Sequence, residues 1–416
     1  MKRNLLLSLG LACTLAASAQ IVQFRGENHC GIYPAEKNLM KQWPENGPEK
    51  LWVVNNAGKG NSSAIVEGGK IYTAGLTTDE QNEQVTCYNL DGSLVYQVTF
   101  GRAWTKSFQE TRCSPLIDGD RIYIVSGMGE LVCLNKVDGK ILWSFDYWQK
   151  YQLTPNDQGI CEQPLIDGDR IIINACGKEV CLVALNKVTG ETIWETPSFG
   201  DKAMYVPSIM VEWNGKRQIV AATEEHLFGV EPETGKMIWN DNSWLPIQDE
   251  KKWANAMVNG PVFYEGYLFV SLGDGHGCTM YKMADDLSSV SMLWRKKEID
   301  MYMGGMIQID GVVYGSTGNK NMWAALDIKS GEVLYHSQWQ GKARGALIAA
   351  DGMFYMFDER RGFMGLANIN PKQLDVVSEF RVTDGSGAYF SHPTIYDGVL
   401  YIRHGEALVA YSIKQN

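Results

Sequence analysis

The chain has 416 residues, 45% of them hydrophobic and 21% charged, with a formal net charge of −10. That apolar content excludes a disordered chain, and the acidic balance argues against nucleic acid or an anionic membrane surface as a partner. The length accommodates two ordinary domains or one large all-β domain.

The first residues, MKRNLLLSLGLACTLAASAQ, have a basic start, an apolar run and Ala17-Ser18-Ala19. This pattern predicts a secretory signal over 1–19, cut before Gln20, and hence a periplasmic or secreted protein. Acylation at Cys13 is the alternative, although Gly10-Leu11-Ala12 matches such a site poorly. Loss of Lys2 and Arg3 takes the charge from −10 to −12. No later stretch has the ~18 uninterrupted apolar residues of a membrane span. Eight cysteines remain, at 30, 87, 113, 133, 161, 176, 181 and 278. They are too sparse for a disulfide-built scaffold, so a packed core is expected to do most of the stabilising. Cys176 and Cys181 flank one turn and are placed to face each other.

After an N-terminal lead-in over 20–48, a repeat runs from 49 to 416. Residues 111–145 read TRCSPLIDGDRIYIVSGMGELVCLNKVDGKILWSF, and 160–197 read ICEQPLIDGDRIIINACGKEVCLVALNKVTGETIWETP. Each unit parses as four short strands, A to D, with Asp-Gly turns that favour tight hairpins. Strand D ends in an aromatic at Tyr96, Trp143, Trp194, Trp239, Trp294, Tyr335 and Phe380. The last unit stops after strand C, and Trp52 in KLWVV precedes the first strand A. The expected fold is therefore an eight-bladed β-propeller of four-stranded antiparallel blades, closed by an N-terminal strand. Seven blades is the alternative, should 254–297 not form one. Ten residues before most strand D aromatics stands a small residue, such as Cys133, Ala184, Gly229 or Ala325. Cys87 and Cys133 accordingly read as small buried hydrophobes.

The turns on the A–B and C–D face are monotonous, whereas the D–A crossings and B–C turns are varied and aromatic. That second face is the expected binding surface. Its candidates are Trp148, Trp244, Trp253 and Trp339 on the crossings. Arg112, Glu162, Tyr205, Asn259, Arg344 and His392 are placed near the axis by alignment on the strand A prolines. Arg112 and Glu162, on adjacent blades, are expected to pair. The six histidines show no metal-ligand spacing. Gly273–Cys278 reads as a glycine-rich turn rather than a metal loop, so no metal site is expected.

The unit ALNKVTGETIW (184–194), with AALDIKSGEVLY (324–335), resembles the repeat of pyrroloquinoline-quinone-type propellers. QFRGENHCG (23–31), WPENGPEKLW (43–52) and the ending DGVLYIRHGEALVAYSI resemble exported bacterial members. The resemblance covers about 23–416 and implies the propeller fold. In the quinoprotein alcohol dehydrogenases of this family it further implies an axial quinone with an adjacent Cys-Cys disulfide, a stacking tryptophan, Ca²⁺ and an Asp base. This chain has no Cys-Cys pair and no C-x-x-C-H motif, and the quinone ligands map onto none of its residues. The expectation is a non-catalytic, monomeric exported propeller that binds a protein, small-molecule or carbohydrate partner, with no catalytic residue and no cofactor. A dehydrogenase using the quinone with Ca²⁺ at a diverged site is the alternative, and an outer-membrane assembly scaffold a second.

Overall fold

The computed structural model describes residues 21–153, 158–243, 258–273, 275–318 and 321–415. The signal and acylation expectations, and Trp244 and Trp253, lie outside the described residues. The strands assemble into eight antiparallel sheets, the blades of one propeller. In blade two, strands A to D are Leu116–Asp118, Arg121–Val125, Glu130–Asn135 and Ile141–Asp146. Strands B and C lie between neighbouring blades and are buried on both faces, which their unbroken Ile, Val and Leu runs require. The irregular stretch is also a blade, with strands Val262–Tyr264, Tyr267–Ser271, Cys278–Met283 and Val290–Lys296. The ring therefore has eight blades, not seven. It closes where Glu49–Val54 pairs antiparallel with Ala407–Ser412 and sets Trp52 opposite Ala410.

One contact holds successive blades together. Trp143 of blade two donates its indole N–H to the Lys187 carbonyl of blade three at 3.2 Å, and Trp194 donates to Pro232 of blade four at 3.0 Å. Beneath each ring lies the C–D turn glycine of the next blade. A Cβ on Gly190 would stand 2.8 Å from Trp143, and φ there is +75°, so both space and backbone demand glycine. Blades five and seven lack this glycine. At blade five Gln218 takes over, accepting from Trp239 Nε1 at 2.8 Å and donating to the Leu287 carbonyl of blade five at 2.9 Å. At the closure, Gly47 of the N-terminal lead-in sits under Phe380 of blade seven. It restores the contact at a C–D connection that the chain ends interrupt.

The small residue in strand C has a cause within its own blade. Cys133, Ala184 and Gly229 face Trp143, Trp194 and Trp239 directly across the ladder, leaving room for each ring. The pattern is not universal, because Met280 faces Trp294 and Met364 faces Phe380.

The N-terminal lead-in crosses the axis. Val22 bridges Ile117 in strand A of blade two, and Ile32–Tyr33 adds a parallel fifth strand beside Gly345–Ala350 of blade seven. Between these points Arg25 is buried, donating to the carbonyls of His29, Leu347 and Met306 at 3.0, 2.8 and 2.9 Å.

Candidate functional site

Above that crossing lies a cavity of about 770 Å³. Its walls come largely from the residues that enter strand A of each blade, with Glu224 and Glu359 from B–C turns. Its floor is Phe24, Arg25, Asn28, His29 and Cys30. The volume is in the range of small-molecule sites. The lining mixes Phe108, Tyr205, Phe263, Tyr302, Tyr389 and Phe390 with amides and with ionisable groups of both signs.

Five of the axial candidates meet in this cavity: Arg112, Tyr205, Asn259, Arg344 and His392. Arg112 donates through Nη2 to the carbonyls of Ser107 and Phe108, while its Nη1 is buried without a partner. Asn259 is spent on structure, giving its amide N–H to Met301 O at 3.0 Å and accepting from Gly305 N at 2.9 Å. Arg344 pairs with Glu359 at 2.9 Å and stacks 4.2 Å from the centre of the Tyr302 ring. His392 accepts from Arg25 at 2.9 Å and directs Nε2 toward the Met303 carbonyl. Burial, with Arg25 beside it, pushes its pKa well below the usual imidazole value.

Glu162 does not belong to this site, and its expected pairing with Arg112 is replaced. Its carboxyl is turned into the blade, 2% exposed, and accepts from Asn174 N at 2.5 Å. Burial raises its pKa well above that of an ordinary glutamate. On the segment that leads into strand A, the neighbours Cys161 and Gln163 line the cavity while Glu162 points the other way. The two described tryptophan candidates also lie elsewhere. Trp148, on the short helix Tyr147–Tyr151, packs 6.1 Å from Trp104. Trp339 is 4% exposed and donates to Glu379 Oε2 at 2.8 Å. These crossing tryptophans pack loops onto blades.

The sequence reading missed the floor, although Arg25 and His29 stand in the quoted RGENH. It also missed Glu359 as a lining residue, although its B–C turn lies on the face expected to bind. Burial pushes the His29 pKa down to about 4 and that of Arg25 down to about 10, so at neutral pH the histidine is uncharged and the arginine charged.

A family described as "Outer membrane protein assembly factor BamB" matches residues 81–337. The chain belongs to this family. Its similarity to curated proteins extends to the quinoprotein ethanol dehydrogenase of Pseudomonas putida, 26% identical over 33% of this chain and 24% of that protein. The chain thus matches only about a quarter of that enzyme's length. Among solved structures, BamB from Moraxella catarrhalis superposes with a TM-score of 0.63 at 13% identity, over 88% of this chain and 99% of that one. Quinohemoprotein alcohol dehydrogenase from Comamonas testosteroni gives 0.61 at 10% identity, over 88% and 77%. At these identities the structural likeness concerns the fold alone.

The quinone and Ca²⁺ of the dehydrogenase branch do not fit the described lining. No group of three or more His, Cys, Asp or Glu among the described residues is placed to hold a metal ion. The cysteines at the cavity, Cys30 and Cys161, are not adjacent in sequence, and no described tryptophan lines it.

Proposed function

We propose that this BamB-family propeller is a non-catalytic binding protein that takes a small polar ligand in its axial cavity. One observation carries the reading. The 21–33 segment joins blades two and seven and lines the base of a cavity with aromatic and hydrogen-bonding walls. Binding to the folded state alone raises the melting temperature with ligand concentration. A thermal-shift screen of small saccharides, organic acids and amino acids, followed by calorimetry, tests it. The expected result is a saturable hit that Tyr205→Ala or Tyr302→Ala weakens at least tenfold. A hit that both variants leave intact, or a screen without hits, overturns the reading.

The second reading, a periplasmic assembly factor for outer-membrane proteins, is supported by the family match over 81–337. Deletion of the gene is then expected to deplete outer-membrane β-barrel proteins, and unchanged levels sink it. The dehydrogenase reading predicts stabilisation by pyrroloquinoline quinone with Ca²⁺. It ends if neither raises the melting temperature at concentrations far above micromolar. Export predicts a mature N-terminus at Gln20, which mass spectrometry distinguishes from an acylated Cys13.

A further inference from the structure

Among the described residues, four buried polar atoms of cavity-lining side chains lack a partner: Arg112 Nη1, His29 Nε2, Glu359 Oε2 and Gln308 Nε2. The first three are each half of a group whose other half is firmly bound. Arg112 Nη2 is held by the carbonyls of Ser107 and Phe108. Glu359 Oε1 is held by Arg344 Nε at 2.9 Å, and the residue is 5% exposed. His29 Nδ1 lies 2.9 Å from the Phe24 carbonyl, which can only accept, so the ring proton sits on Nδ1. The ring is neutral, and Nε2 therefore presents a bare lone pair. The other halves of these groups are thereby fixed in orientation, and what they lack has a definite chemistry. Arg112 Nη1 and Gln308 Nε2 need acceptors, whereas His29 Nε2 and Glu359 Oε2 each need a donor. A buried polar atom left unsatisfied is costly, so a ligand that supplies these partners gains more than one that merely fills the volume.

From this complementarity we infer that the ligand is a small acidic saccharide, its carboxylate on Arg112 and its hydroxyls donating to His29 and Glu359. The inference rests on the cavity being a binding site. Lys202, also on the wall, adds a second cation for the acid group. The acidic wall residue Glu110 accepts from Asn61 Nδ2 at 2.6 Å. Tyr205, half-buried on the wall, adds an aromatic side chain that a pyranose can lie against. An amino acid shares the essential chemistry, a carboxylate beside hydrogen-bond donors, and is distinguished by a separate arm of the test.

Calorimetry on the mature protein at pH 7 would compare three probes: digalacturonate, the neutral galactose disaccharide and free glutamate. The expected result is that digalacturonate binds at least tenfold tighter than its neutral counterpart and tighter than glutamate. Arg112→Gln should collapse that ratio toward one, and Glu359→Gln should weaken the acidic probe several-fold. The wild-type ratio is informative even if a variant fails to fold. Equal affinity for the acidic and neutral sugars overturns the acidic assignment while leaving the cavity as a sugar site. Tighter binding of glutamate overturns the saccharide and keeps the acid. If no probe binds but the wider screen finds another ligand, the inference falls and the binding function stands. If that screen is empty too, both fall.

Discussion

Arg25 Nη1 lies 2.9 Å from His392 Nδ1 at the base of the cavity. A guanidinium can only donate, so His392 Nδ1 accepts, and the imidazole is the neutral tautomer with its proton on Nε2, facing the Met303 carbonyl. Among the described residues Arg25 pairs with no carboxylate and is stabilised by carbonyls instead. Arg25→Met would strip donors from His29, Leu347 and Met306 O and from the histidine, at a cost of about 3 kcal/mol. Urea denaturation should show the loss. Arg25→Lys should recover less than half of it, because an ammonium cannot fan out to these acceptors as the planar fork does.

Glu83 is 1% exposed, and burial raises its pKa to about 8, although Gly127 N–H and Arg112 favour the ionised form. The unfolded chain releases this proton near the ordinary glutamate value of 4.5. Over pH 4.5 to 8 the folded state therefore holds a proton that the unfolded state has lost, and stability from this residue falls as pH rises. Glu83→Gln keeps the neutral shape. It should match wild type at pH 5 and exceed it by roughly 2 kcal/mol at pH 8 in chemical denaturation. Equal stabilities at pH 8 would remove Glu83 as the cause.

His29 and His392 act in the opposite sense. Both are held neutral by burial, His29 with a pKa near 4. Below about pH 6.5 the unfolded chain takes up protons that the folded one refuses. The melting temperature should accordingly decline as pH drops from 6.5 toward 4, and His29→Gln should flatten that decline. A variant curve parallel to wild type would contradict the assignment.

Two glycines with similar backbone angles separate packing from conformation. Gly190 (φ +75°) lies under Trp143, while Gly168 (φ +57°) has nothing within 4 Å of an added Cβ. Gly168→Ala should cost about 1 kcal/mol for the left-handed backbone alone. Gly190→Ala adds the collision with the indole and should cost about 3 kcal/mol in total. Equal costs, measured by denaturation, would mean that the indole yields freely.

The Cys176 and Cys181 thiols share one acceptor, Asn174 Oδ1, at 2.9 and 3.8 Å. Both are free and buried, and the contact with Cys181 together with burial pushes the Cys176 thiol up. Oxidised glutathione should convert the pair to a disulfide, two thiols yielding one S–S bond as the oxidant becomes two reduced glutathiones. Trypsin cuts after Lys178, between the two cysteines. The peptides 171–178 and 179–187 should then stay joined until reduced, and separate peptides would refute the bond.

The blade count and the ring closure were legible because they rest on local chemistry repeated many times. A turn glycine, an aromatic four or five residues later and an apolar strand need nothing from elsewhere in the chain to be recognised. The Cys176–Cys181 hairpin was legible for the same reason. Glu162 was misread because it stands in the irregular lead-in to strand A, where a one-residue difference decides whether a side chain meets the axis or the blade interior. Trp339 was misread because an aromatic on a loop looks alike in sequence whether it faces solvent or is packed beneath the loop.

By itself the sequence determined the repeat, its closure at Trp52 and the face that varies. Only the tertiary structure decided that the 21–33 segment joins blades two and seven and that Arg25, His29, Arg112 and Glu359 meet around one cavity. The physical reason is that Arg25 is held by backbone carbonyls near residues 304–306 and 347, acceptors that every residue carries and no side-chain pattern announces. The cavity exists because eight blade entrances converge on one axis, and that convergence is a property of the closed ring rather than of any single repeat.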